Sequence, residues 1–131
     1  MGIRLLVAAT AIALMPWSAG AQVGTADLDD FQLATGQDLV DLCSVAPGNP
    51  LYVEAKQFCF GFFSGVMYYH DAMAAHTDFG RIVCPEERVT RADAVELFVA
   101  WAADNPEHLA TDQPAEAVIR AALDKWGPCE Q

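Results

Sequence analysis

The sequence predicts an all-α domain, a small bundle of four to five helices cross-linked by two disulfides. Three observations carry this. Apolar residues recur at i, i+3, i+4 and i+7, and no segment shows the alternation of a strand. Thr, Asn, Pro and Gly stand where helices start and stop. Four cysteines, Cys43, Cys59, Cys84 and Cys129, follow an apparent export signal, a setting in which an even count pairs off.

That signal comes first. Arg4 supplies a positive charge, Leu5 to Met15 is apolar apart from Thr10, and Ala19-Gly20-Ala21 offers small residues for cleavage. Residues 1–21 therefore read as a cleaved secretory signal peptide, so the mature chain is expected to be exported. An apolar run of about 11 residues is too short to cross a bilayer as a helix, so no membrane insertion is expected. Residues 22–34 are acidic without clear periodicity and are expected to form a flexible arm. Residues 35–131 form the domain.

Thr35 with Asp38 resembles a capping box, and Leu39, Leu42 and Cys43 then share one face of a short helix. Ala46-Pro47-Gly48-Asn49-Pro50 is a turn, with Asn49 a cap for a second helix running to about Ala75. That helix is apolar nearly all round, which suits the middle of a domain or a subunit interface. Gly61 and Gly65, one turn apart, suggest either close approach by another backbone or a local kink. A third helix starts at Thr90 with Asp93 and stops at Asn105-Pro106. Its core face is Val95, Phe98, Val99 and Ala102, and Leu97 and Trp101 form a second apolar line that could face another subunit. The last helix runs from Pro114 to Trp126-Gly127, with Val118, Ile119, Ala122, Leu123 and Trp126 as its stripe.

Four cysteines allow three pairings. Cys43 and Cys59 lie on the core faces of consecutive helices joined by a turn. Cys84 precedes the third helix and Cys129 follows the last. Helix geometry thus favours Cys43–Cys59 and Cys84–Cys129.

The chain has 7 Lys and Arg against 18 Asp and Glu, and losing Arg4 with the signal moves its formal charge from −11 to −12. Such a polyanion is a poor partner for nucleic acid or anionic lipid. No catalytic residue is apparent. Paired thiols leave no nucleophile, His70 and His76 do not share a helix face, and Ser64 lacks a nucleophile elbow. Without a CxxC pair or converging ligands, no metal or cofactor is expected.

Taken in order, Thr35-Gly36-x-x-Leu39-x-x-Leu42-Cys43, Phe58-Cys59-x-Gly61-Phe62-x-x-Gly65, Cys84-Pro85, Asn105-Pro106, Pro114-Ala115 and Trp126-Gly127-Pro128-Cys129 resemble the Rap/Tai family of type VI secretion immunity proteins. The resemblance spans residues 35–129. It implies a small helical periplasmic protein, often a homodimer, that binds and blocks a secreted cell-wall amidase effector. The disulfide framework and the Gly61/Gly65 helix carry over by position; inhibitory contacts do not. The segment 45–50 and Tyr68-Tyr69 fall outside the family pattern. An inhibitor of this kind needs a projecting element, and loops 76–82 and 104–113, with His76, Asp78, Phe79 and His108, are the expected contacts. Two other readings stay open. One is a periplasmic acid-stress chaperone, because near about pH 2 the carboxylates neutralise and about +9 of side-chain charge would open the Phe-rich helix. The other is a different non-enzymatic envelope binding protein.

Overall fold

The computed structural model describes residues 25–76 and 78–130. The signal-peptide reading falls on residues 1–21, outside them. Five helices follow in order: α1 Gly36–Cys43, α2 Tyr52–His76, α3 Arg91–Asp104, the single turn α4 Pro106–Leu109, and α5 Pro114–Trp126. A 3-10 turn, Asp30–Gln32, precedes them. Among the described residues no helix is long and apolar enough to cross a membrane.

Local chemistry sets the boundaries. The Thr35 N–H donates to the Asp38 carboxylate at 3.0 Å, closing the predicted box before α1. At the other end Lys56 reaches back from α2 to donate to the Cys43 carbonyl at 2.6 Å, satisfying a carbonyl the helix leaves unpaired. The α2 start lies slightly later than predicted. Asn49 spends its side chain on a turn, accepting from the Leu51 N–H at 2.8 Å and donating to the Ala26 carbonyl at 2.9 Å. Thr90 and Asp93 exchange bonds to open α3, and the Thr90 hydroxyl and N–H, both donating to the Asp93 carboxylate, hold that carboxyl below its usual range. Gly127 ends α5 at φ +73°, a backbone region open to glycine.

The main core gathers Leu39, Val40 and Cys43 of α1, Cys59 and Phe63 of α2, Val95, Phe98, Trp101 and Ala102 of α3, Leu109, and Ala117 and Ala121 of α5. A smaller cluster of Ala26, Leu42, Val45 and Ala55 extends it. The disulfides are Cys43–Cys59 and Cys84–Cys129, as the helix geometry favoured. The first is buried in the main core; in the second, Cys84 is exposed.

Three expectations are corrected. Residues 25–34 are not a loose arm: Ala26 is buried, and Phe31 packs edge-on against Phe58 at 5.2 Å. Within the chain, the closely approached glycine is neither Gly61 nor Gly65. A Cβ added at either of those would meet nothing within 4 Å, whereas at Gly36 it would lie 3.2 Å from the Ala117 Cβ and 3.4 Å from the Leu109 carbonyl oxygen. That crossing also decides the inner line of α5. The buried residues are Ala117 and Ala121, one position before the predicted stripe, because only small side chains let α5 come this near to α1; the larger Val118, Ile119 and Leu123 flank the contact half-buried.

Gly36→Leu should force α1 from α4 and α5 and cost about 2–3 kcal/mol, the range of core overpacking. Urea unfolding of the purified domain would measure it; a midpoint like that of the parent would mean the crossing is not tight.

Candidate functional site

Ala55, Cys59 and Phe63 fix which side of α2 faces the core, and no residue of α2 beyond Phe63 is buried. The second half of the helix thus runs past the bundle, and the loop that follows it turns back at the far end. His76 closes the helix, exposed; Asp78 and Phe79 follow at the tip, with Phe79 81% exposed. Gly80 makes the reversal at φ +67°. The returning limb is fastened to α2 and to the C-terminal tail. His70 Nε2 accepts from the Ile82 N–H at 3.0 Å and from the Val83 N–H at 3.4 Å. Arg81 pairs with Asp71 at 3.0 Å. Val83 bridges to Pro128, the Cys129 N–H donates to the Ile82 carbonyl at 3.2 Å, and the Cys84–Cys129 bond closes the arrangement. The result is an exposed tip on a fixed base, bringing His76, Asp78 and Phe79 to one end of the molecule. His70 and Arg81 were missed as the residues that hold it; the acceptor role of His70 joins residues 12 and 13 positions apart and leaves no mark in helical periodicity.

The second expected contact loop is different. Its first half is α4, which docks on the core. His108 stacks on Trp101 at 5.9 Å between ring centroids and lies 3.5 Å from the Asp112 carboxylate. Asp112, 8% exposed, also meets the Arg120 guanidinium of α5 at 2.6 Å, an ion pair at the edge of the core. The Asp112 carbonyl accepts from the Gly36 N–H at 2.9 Å. His108 is therefore a packing residue that braces the α3–α5 connection. Trp101 is likewise no subunit face: it is 8% exposed, and its indole N–H donates to Asp124 of α5 at 2.7 Å. Leu97 beside it is half-buried.

The surface instead exposes an apolar strip on α2. Phe58, Gly61, Phe62, Gly65 and Tyr69 fall along one side at helical spacing. Gly61, Phe62, Gly65, Val66 and Tyr69 line a shallow groove. Tyr69 and the neighbouring Tyr68 are 68% and 76% exposed. From Gln57 to His70 the helix has no Asp, Glu, Lys or Arg.

Carboxylates crowd the opposite end, around the 3-10 turn and α1. Burial pushes the Asp41 carboxyl up, against the lowering effect of a hydrogen bond from Gln37, and nearby Asp30, Asp38 and Asp27 add to the rise. Asp30 is raised mainly by burial as well. Among the described residues no group of three or more His, Cys, Asp or Glu side chains is arranged to hold a metal ion.

A carboxyl raised in the folded state favours folding most below its unfolded value, and that benefit is lost as pH rises through the folded value. Asp41→Asn keeps an acceptor for Gln37 and removes the charge. It should raise Tm at pH 7 by about 2 °C, a few tenths of a kcal/mol after solvent screening. The gain should vanish near about pH 3, where Asp41 is itself protonated. Thermal melts at the two pH values check both the sign and its loss.

Residues 35–129 match the family model of the Rap1a immunity proteins. No curated protein and no solved structure matches the chain.

Proposed function

Because the chain belongs to the Rap1a immunity protein family, we propose that it is an exported immunity protein that neutralises a type VI secretion effector, a peptidoglycan amidase, by binding it in the periplasm. The observation that carries the reading is the family match over residues 35–129. Two disulfides and no free cysteine among the described residues support an oxidising compartment. The tip at Asp78 and Phe79 is the element that enters the effector's groove: an aromatic side chain on a fixed base gives contact area at small ordering cost.

Deleting the gene should make cells die in contact with an armed parental strain and survive beside one lacking the secretion system. Their cell walls should show cleaved peptide stems. The full chain should restore survival, a version lacking residues 1–21 should not, and Phe79→Ala should restore it poorly. Survival of the deletion strain against the armed parent would sink the immunity reading; death with intact stems would sink the amidase assignment.

The family resemblance also implies a dimer, and the α2 strip is where we place it. Two copies of a chain with formal charge −11 repel wherever their carboxylates meet, and Gln57–His70 carries no charged side chain. Gly61 and Gly65 leave room for a partner helix to cross closely, with the exposed aromatics packing alongside. The mature chain should sediment as a dimer. Gly65→Arg should give a monomer of unchanged helix content, and Leu97→Arg should leave the dimer intact. A monomeric parent at about 100 μM, a weak-affinity threshold, would refute the strip as an interface.

A further inference from the structure

We propose that His70 is a proton-sensitive latch on the loop carrying Asp78 and Phe79. The geometry fixes its chemistry. Two consecutive backbone N–H groups, of Ile82 and Val83, point at one imidazole nitrogen, 3.0 and 3.4 Å away. A backbone N–H only donates, so Nε2 must present its lone pair. His70 is then neutral, with its proton on Nδ1, the nitrogen that lies 3.8 Å from the Asp71 carboxylate. Val83 is buried, so its N–H depends on a protein acceptor, and the imidazole stands where a sheet neighbour's carbonyl would otherwise be.

Protonation places a third N–H against these two. The latch is therefore closed with the neutral imidazole and open with the imidazolium, which has no lone pair to offer either amide. Asp71, on the same helix, lies 3.8 Å from Nδ1, and Arg81 of the loop pairs with the same carboxylate at 3.0 Å. The tail paired with the limb contributes Pro128 and disulfide-bonded Cys129, neither of which titrates. The Cys84–Cys129 bond and the Cys129-to-Ile82 hydrogen bond do not depend on His70. Opening is therefore local, loosening the returning limb at Ile82 and Val83 and leaving the bundle folded. The latch stands on its own geometry; only its consequence, a contact loop ordered at neutral pH and loosened in acid, rests on the function proposed above.

Nitrogen-resolved NMR of the free mature chain tests it without any effector. Near about pH 7.5, above the histidine range, His70 should be the Nδ1–H tautomer. Down to about pH 5, the Ile82 and Val83 amide shifts should move with the midpoint of His70 itself. Val83 exchange protection, corrected for the intrinsic effect of pH, should fall about tenfold, the size of one lost hydrogen bond. His70→Gln, which offers a carbonyl oxygen that does not titrate, should hold both amides through the same range. His70→Ala should show acid-like amides at both ends. An Nε2–H tautomer in the parent chain, amides that ignore the His70 titration, or amides that titrate unchanged in His70→Gln would each overturn the latch. None of these readouts depends on whether the chain confers immunity.

Discussion

The Cys43–Cys59 bond is the constraint on which the rest of the structure rests. It joins the last residue of α1 to the second turn of α2 and lies among Leu39, Phe63 and Phe98 in the middle of the core. By fixing the rotation of α2 it decides that Ala55, Cys59 and Phe63 face inward. Helical spacing then leaves Phe58, Gly61, Gly65 and Tyr69 on the exposed side, with Phe62 half-buried between them. A core of this size gives a modest margin against chain entropy. Loops of 16 and 45 residues closed by the two bonds are worth about 3 and about 4 kcal/mol in the chain-entropy model, comparable to the ~5–15 kcal/mol net stability of a domain. That margin lets α2 extend past its own support: the helix keeps one end in the core while the other carries surface that the monomer does not bury.

The second bond acts on a different scale. Cys84–Cys129 lies at the surface and ties the limb after the Phe79 tip to the tail after α5. The first bond orients a helix; this one gives a loop a base. His70 and Arg81 then fix the limb against α2, so the loop is anchored by covalent, hydrogen-bonded and ionic contacts at once. An element built this way loses little entropy when it meets a partner, because most of its ordering cost has already been met in folding.

The sequence was legible where local chemistry decides. Thr35 and Thr90 announce their helices by capping, Gly127 announces a stop, and the facing positions of Cys43 and Cys59 announce a bond. It was illegible where distant residues decide. Gly61 and Gly65 look like a close crossing because they are one turn apart, yet the tight crossing is at Gly36, whose neighbours Leu109 and Ala117 are more than seventy positions away. Trp101 looks like an exposed line on α3 until Asp124 of α5 takes its indole N–H. Ala26 in an acidic stretch looks unattached until Asn49 donates to its carbonyl. For the contact site the sequence singled out His76, Asp78 and Phe79, and the fold brings them to one end. It also singled out His108, which the fold turns to packing.

These corrections share a direction, and they bear on how an acidic chain meets other proteins. Trp101 leaves the surface to complete the core, His108 packs half-exposed against it, and the arm at residues 25–34 folds down on α1 and α2. What the monomer leaves uncovered is concentrated on one helix and the loop that ends it. The strip from Gln57 to His70 is uncharged, whereas the loop end carries Asp71, Asp78 and Arg81. Contacts between like-charged copies are least opposed on the neutral strip, and contacts with a different protein gain direction from charged groups beside Phe79. A single helix, rotated into place by one buried bond, thus keeps an uncharged strip apart from a charged loop end, and His70 lies where they join: the last residue of the uncharged run and the acceptor that fixes the loop.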